Sequence, residues 1–339
     1  MKSNCIPIFQ NTCAIEDPSC EFLSKNIDKT ILIFQHPELY FFPEYKNMIF
    51  SPFGVKEHGI LYWIYKAMHL AHIPGYSFFW GDWKKHLKTA KKVILFDYGY
   101  QRGMETYIHT INPDCDVYLF YWNIITPKRI NYKLFTDKDA IYSTDPADCE
   151  KYNFKYNNMF YCEKYYEPYR PCKKNKLFFL GVDKGRADLL LCLKSIFEKS
   201  GIECDIRLLA PGLNKKRRLE LKSILTDKRL SYEEYLTQLR RCNLILDIAQ
   251  TGQMAPTMRV MEAIYLSKKL ITNNRSLSSY DFYTENNIFI LPDEYDDALT
   301  DQLKEFLQRP FLPYSPEIRQ KYGCNEWLNH FQSNAGNTQ

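Results

Sequence analysis

"DIAQTGQMAPTMRVMEAIYLSKKLITNN" occupies residues 247–274 and decides how the rest of the chain reads. It begins where an apolar run, residues 243–248, stops at a cluster of amides and hydroxyls. Past Pro256 the apolar spacing predicts a helix over 257–267, and a second apolar run at 269–272 follows at once. Strand, polar corner, helix and strand in that order predict a crossover between parallel strands.

The alternation continues on both sides of this stretch. Residues 176–181 read as a short strand ending at Gly181, and 188–199 repeat apolar positions at helical spacing before Ser200 and Gly201 stop the helix. A strand at 204–210 follows, then a charged helix at 219–225. A further helix is opened by Ser231 and Glu234 as a capping box. Beyond residue 272 come a small helix near Tyr280, a strand at 287–291 and a helix at 297–308. Such alternation predicts a parallel sheet covered on both faces.

The first half is less regular. Strands are predicted at 30–34, 92–97, 116–121 and 140–143, with helices at 55–72 and 104–110. The 339 residues exceed one ordinary core. The segment 165–175 holds two prolines without periodicity and reads as the linker. The expected architecture is therefore α/β, with two Rossmann-like domains at 1–168 and 174–330. The last helix candidate, 315–331, is expected to pack back on the first domain, and 333–339 to form a frayed tail.

Composition narrows the function classes. Hydrophobic residues make up 45% and charged residues 25%, the balance of a folded soluble protein. The formal charge of +5 is too diffuse to predict nucleic-acid binding, yet it suits a phosphate-bearing substrate or an anionic membrane surface. The basic runs at 172–176 and 215–218 read as solvated faces. Eleven cysteines show no C-x-x-C pair, and Cys5, Cys13 and Cys20 have no histidine at zinc spacing, so reduced thiols in a cytosol are expected. The N-terminus lacks a signal-peptide core, and no stretch reaches the length of a membrane span. These readings predict a cytoplasmic protein whose membrane contact, where present, is peripheral.

Ligands of open α/β sheets bind beyond the carboxyl ends of strands, and two such ends in the second half are strongly polar. The first is Gly181-Val-Asp183-Lys184-Gly-Arg186, a glycine-bracketed turn at a helix start that offers backbone N–H groups and two cations to a phosphate. It reads equally as a tight turn with two solvated charges. At the second, Gly252 allows close backbone approach and Gln250, Gln253 and Thr257 supply hydrogen bonds. Arg259 could clamp an anion at the helix N-terminus. Glu262, three residues beyond Arg259, could accept from the hydroxyls of a ribose or pair with Arg259 along the helix.

The pattern L-D-I-x-Q-x-G-x-x-x-x-T-x-R-x-x-E-A-I, together with G-x-D-K-G-R before a helix, resembles bacterial glycosyltransferases of capsule, O-antigen and lipooligosaccharide synthesis. The resemblance covers roughly residues 174–330 and, more loosely, Asp97, 121–123 and 145–156. It implies the GT-B fold, two Rossmann-like domains facing a cleft, with a nucleotide-sugar donor on the second domain and a saccharide or lipid-linked saccharide acceptor on the first. Lys184, Arg186, Thr257 and Arg259 would face the donor diphosphate, and Glu262 the ribose. Many members carry two glutamates eight positions apart. Here the earlier position is Met254, so sugar contacts would fall to Gln250, Gln253 or backbone.

A single-displacement transferase needs a base near the acceptor hydroxyl. Asp97 ends an apolar strand before a glycine-flanked loop, although it reads equally as a cap or turn residue, and His36 at another strand end is the second candidate. His58, His69 and His72 fit a helix face. The D-x-D matches at Asp114/Asp116 and Asp137/Asp139 are short enough to arise by chance. No essential metal and no cofactor beyond the co-substrate are expected, because cations and a helix N-terminus can stabilise a leaving diphosphate. A metal-dependent D-x-D transferase and a non-catalytic nucleotide or sugar binder remain as alternatives. A nicotinamide oxidoreductase lacks its G-x-G-x-x-G.

Overall fold

Short runs of two to seven residues, apolar in the central strands, form two sheets in the computed structural model. It describes residues 29–34, 47–52, 54, 59–71, 73, 75–126, 131–172, 174–295 and 297–331. His36, His58, His72, the three N-terminal cysteines and the 333–339 tail lie outside the described residues.

The first sheet contains β1 (Thr30–Phe34), β2 (Met48–Pro52), β3 (Lys92–Phe96), β4 (Asp116–Tyr121), β5 (Ile141–Ser143) and β6 (Lys155–Tyr156). All pair in parallel in the order β2-β1-β3-β4-β5-β6. The second contains β7 (Lys176–Val182), β8 (Glu203–Leu209), β9 (Leu244–Asp247), β10 (Lys269–Thr272) and β11 (Ile288–Ile290). It too is parallel, in the order β11-β10-β9-β7-β8. Each is a doubly wound sheet, and the expected α/β class with two Rossmann-like units is found. Central strands are apolar throughout because helices cover both faces: Val93, Ile94 and Leu95 are wholly buried, as are Leu244 and Leu246.

Helix Ala187–Lys199 carries the chain from β7 to β8 and buries Ala187, Leu190, Leu193 and Phe197, the helical spacing read from sequence. Helix Tyr232–Arg240 begins at the capping box of Ser231 and Glu234 as expected. The charged helix differs: it spans Lys215–Glu220, not 219–225. Asn214 caps it by accepting from Arg217 N, and the chain then turns so that Leu208 N donates to Ile224 O and Thr226 N to Leu208 O. Strands β2 and β6 were not anticipated. Both are edge strands, β6 is two residues long, and β2 ends at Pro52, which an edge tolerates because no ladder donor is required there.

The C-terminal region breaks into helices Pro316–Lys321 and Cys324–Asn329 and returns to the first sheet. Trp327 stacks on Phe160 with centroids 4.1 Å apart and meets Phe120 edge-on at 5.1 Å. Tyr161 N donates to Tyr322 O, and Cys324 N to Tyr161 O, which ties the chain crossing together. No helix among the described residues is long and apolar enough to cross a membrane.

Candidate functional site

Strand order reverses between β1 and β3 in the first sheet and between β7 and β9 in the second. At such a switch the flanking crossovers leave on opposite faces and a crevice opens beyond the strand ends. The residues delivered there are Asp97 after β3, Gly181 in β7 and Asp247 in β9.

Two arginines fill the β7/β9 crevice. Asp183 Oδ1 accepts from the backbone N–H groups of Gly185 and Arg186 at 3.0 Å each, while Gly185 takes φ +80°, so the turn is tight and delivers Arg186 at the head of its helix. Arg186 Nη1 donates to Ile248 O at 2.6 Å and Nη2 to Val182 O at 3.0 Å. Arg259, in the first turn of helix Met258–Tyr265, donates from Nη2 to Leu180 O at 2.6 Å, and its Nη1 lies 3.7 Å from Asp247 Oδ1. Both guanidinium groups lie over the Phe179 ring, 5.0 and 4.8 Å from its centroid. A Cβ on Gly181 would stand 2.7 Å from Arg186 Nη2 and 2.9 Å from Arg259 Nη2, so the two cations converge on a bare Cα.

This pair carries surplus positive charge. Burial pushes the Arg186 guanidinium down to about 10, and the Arg259 charge acts in the same direction against the pull of Asp247 and Asp183. The one buried carboxylate between them, Asp247, also accepts from Thr257 Oγ1 at 2.8 Å and Thr272 Oγ1 at 3.2 Å. A guanidinium has five N–H donors. The buried Nε of each arginine has no hydrogen-bond partner among the described residues. Unsatisfied, forked donors with excess charge suit phosphate oxygens. Lys184 is exposed on the same turn. Thr257 Oγ1 accepts from Arg259 N at 3.1 Å and caps the helix whose N-terminus meets the crevice.

The loop between β9 and that helix is held on three sides. Gln253 N donates to Gln250 O at 3.0 Å and the Gln253 amide nitrogen to Ala255 O at 3.4 Å, around Gly252 at φ +80°. The Gln253 side chain therefore serves the turn, and Gln250 takes part through its backbone. Asn273 Oδ1 accepts from Ala249 N at 2.8 Å, and Asn274 Nδ2 donates to Ala255 O at 3.1 Å. The third side comes from the first sheet. Asp145, just beyond β5 and buried, accepts on Oδ2 from Met254 N at 2.8 Å and Ala255 N at 3.0 Å. Its Oδ1 caps helix Pro146–Tyr152 through Ala147 N at 3.0 Å. The carboxyl edges of the two sheets thus meet at one buried carboxylate.

Glu262 forms no ion pair with either arginine among the described residues, although Arg259 is near enough to act on its charge. It is 1% exposed, accepts from Tyr235 Oη at 2.6 Å and from Tyr232 Oη at 3.5 Å, and Tyr232 in turn bonds Tyr161. Burial pushes its carboxyl up to about 7, opposed by those phenols and by Arg259. Helical spacing allowed an Arg259–Glu262 pair. The structure sends the arginine to the strand ends and the carboxylate to the tyrosines instead.

In the first sheet Asp97 is buried in the turn after β3, where its N–H donates to Phe120 O at 2.9 Å. The Tyr121 phenol is pushed up chiefly by burial, and the Asp97 charge adds to the effect. Trp80 and Trp83 are core residues, Trp122 is half-buried against Phe96 and Phe160, and Trp63 is exposed. Of the D-x-D matches, Asp116 opens β4, and Asp137 caps a 3-10 helix through Asp139 N. Sequence reading did not assign Phe179, Asp247 or Asp145 to the site. Asp145 before Pro146 is legible as a helix cap, but nothing local announces that residues 254 and 255 will meet it.

No protein-family model matches the chain, and no curated protein matches it. Among solved structures, a DNA-modifying β-glucosyltransferase, determined with and without its substrate uridine diphosphoglucose, superposes with TM-score 0.38 and 10% identity. The match covers 89% of this chain and 93% of that one.

Proposed function

We propose that the protein is a glycosyltransferase that draws a sugar from a nucleotide-sugar donor bound at the β7/β9 switch point. The observation that carries this reading is the convergence of Arg186 and Arg259 over Gly181, with a buried Nε on each that has no hydrogen-bond partner among the described residues and the buried Asp247 carboxylate beside them. A nucleoside diphosphate supplies negative charge to offset the surplus on the two arginines and acceptor oxygens for their free donors. Lys184 and the N-terminus of helix Met258–Tyr265 add to the same field.

In the proposed reaction an acceptor hydroxyl attacks the anomeric carbon, the glycosyl–phosphate bond breaks, and the nucleoside diphosphate leaves with the charge that the arginines stabilise. No metal is required for that role. Asp97, at the switch point of the opposing sheet, is the candidate to take the hydroxyl proton in a single displacement. The proposed acceptor is a saccharide or lipid-linked saccharide of a bacterial surface glycan, met at the cytoplasmic face of the inner membrane. That part rests on the resemblance of the 247–274 pattern.

The test is a thermal-shift panel of UDP-, GDP-, dTDP- and CMP-linked sugars on wild type and Arg259→Ala. One diphosphate-linked family should raise the melting temperature of wild type and leave the variant unmoved. Stabilisation by none of them, with and without manganese, would remove the reading.

A further inference from the structure

Helix Ile60–Leu70 contradicts the rule that an apolar helix is buried. Its sequence, ILYWIYKAMHL, has one cation and no acid, yet among its described side chains Tyr65 alone is buried. Ile60 is 80% exposed, Trp63 63% and Leu70 70%, and Leu61 and Ile64 are exposed as well. The helix is anchored through Tyr65, whose ring lies 5.9 Å from that of Phe79 in the 3-10 helix Tyr76–Phe79. Next to Phe79, Phe78 is 81% exposed. Lys84, on the 3-10 helix Asp82–Thr89, donates to Ser77 O at 2.8 Å and Phe78 O at 3.3 Å. Helix Ile60–Leu70 and the adjoining 3-10 helix Tyr76–Phe79 therefore present large apolar side chains to solvent, while Trp83 and Leu87 of the next 3-10 helix are buried beneath them; such a pattern marks an interaction surface.

Charge identifies what covers it. Residues 60–89 hold four lysines, Lys66, Lys84, Lys85 and Lys88, against one acid, Asp82. This net of +3 is more than half of the formal charge of +5 on the whole 339-residue chain. Lys66 Nζ lies 5.1 Å from the Trp63 ring centroid, so the cation rides beside the aromatic face. Trp, Ile, Leu and Phe interleaved with lysine on a short helix fit the boundary of an anionic bilayer, where rings and aliphatic tips enter the acyl region and ammonium groups meet lipid phosphates. Eleven residues are too few to cross. A second copy is disfavoured because an isologous contact would set two lysine-rich faces against each other.

We propose that helix Ile60–Leu70 and the adjoining segment 76–89 dock the protein on an anionic lipid surface. The inference does not depend on the donor site, since vesicle binding is measured without a nucleotide or a reaction.

The full-length protein is mixed with vesicles of phosphatidylcholine alone or with one-third phosphatidylglycerol, at low and physiological salt, and bound protein is measured by sedimentation. Tryptophan emission is followed in parallel. Trp80, Trp83 and Trp327 are buried, and Trp122 is half-buried, so a blue shift on binding should come from Trp63 and vanish in Trp63→Phe. Lys66→Gln combined with Lys88→Gln should weaken partitioning about thirtyfold, from roughly fivefold per lysine near an anionic surface. Phe78→Ser should weaken it by about tenfold or more without altering the melting temperature. Equal binding to both vesicle types, or binding and emission indifferent to all these variants, overturns the proposal. Absence of vesicle binding together with a dimer that Trp63→Ser dissociates, or with binding gained on deleting residues 1–28, would assign the surface to a second copy or to the chain's own N-terminal segment and also overturn it.

Discussion

Replacing Glu262 with glutamine should change how stability depends on pH, and the structure states in which direction. The carboxyl is 1% exposed and its pKa is pushed to about 7 by burial, from an ordinary 4.5. The unfolded chain therefore loses this proton first as pH rises, and between about 4.5 and 7 the native state binds more protons than the unfolded state. Stability must then fall with rising pH through that window and level off above it. At 1.36 kcal/mol per pH unit, a window of about 2.5 units corresponds to about 3 kcal/mol. Glutamine never ionises and still offers Tyr235 an oxygen to donate to, so Glu262→Gln should match wild type near pH 4.5. It should gain on wild type steadily to pH 7 and hold an advantage of about 3 kcal/mol at pH 8. Urea denaturation at half-unit steps from pH 4.5 to 8 tests this, because other titrating groups are common to both proteins and cancel in the difference. Two parallel curves would show that Glu262 titrates in the native state at its ordinary pKa, and would refute the argument from burial.

Three further outcomes follow from the site. Asp145→Ala leaves Met254 N and Ala255 N without their acceptor and removes the cap on Ala147 N, which should cost about 3–5 kcal/mol. Hydrogen exchange should rise at residues 254 and 255, where a purely local capping role would leave it unchanged. Arg259→Lys keeps the charge but not the fork that reaches both Leu180 O and Asp247. Affinity for the stabilising nucleoside diphosphate should fall about tenfold or more by calorimetry, and an unchanged affinity would take the phosphate off Arg259. Gly181→Ala inserts a methyl 2.7 and 2.9 Å from the two Nη2 atoms, so it should spread the guanidiniums and weaken nucleotide binding. Because those are the ends of flexible side chains, the melting temperature should change little. A variant that binds as wild type does would show that the convergence is incidental.

The register of apolar runs and helical spacing was sufficient, by itself, to place most strands and most helices of the second half, the charged helix Lys215–Glu220 excepted. Local propensity and burial pattern are properties of short segments, and Ser231–Glu234 or Ala187–Lys199 carry theirs in full. The polar corners at 181–186 and 250–259 were legible for the same reason, since turn chemistry at a strand end is local. Tertiary structure alone decided which side chain points where. Arg259 and Glu262 sit one turn apart and could have paired, but desolvation sent one to the strand ends over Phe179 and the other among Tyr161, Tyr232 and Tyr235. Asp145 joins residues more than a hundred positions away, and the exposure of Trp63 against the burial of Trp83 depends on what packs beside each. Such facts depend on long-range contacts and on competition for solvent, and the spacing of residues along a chain encodes neither.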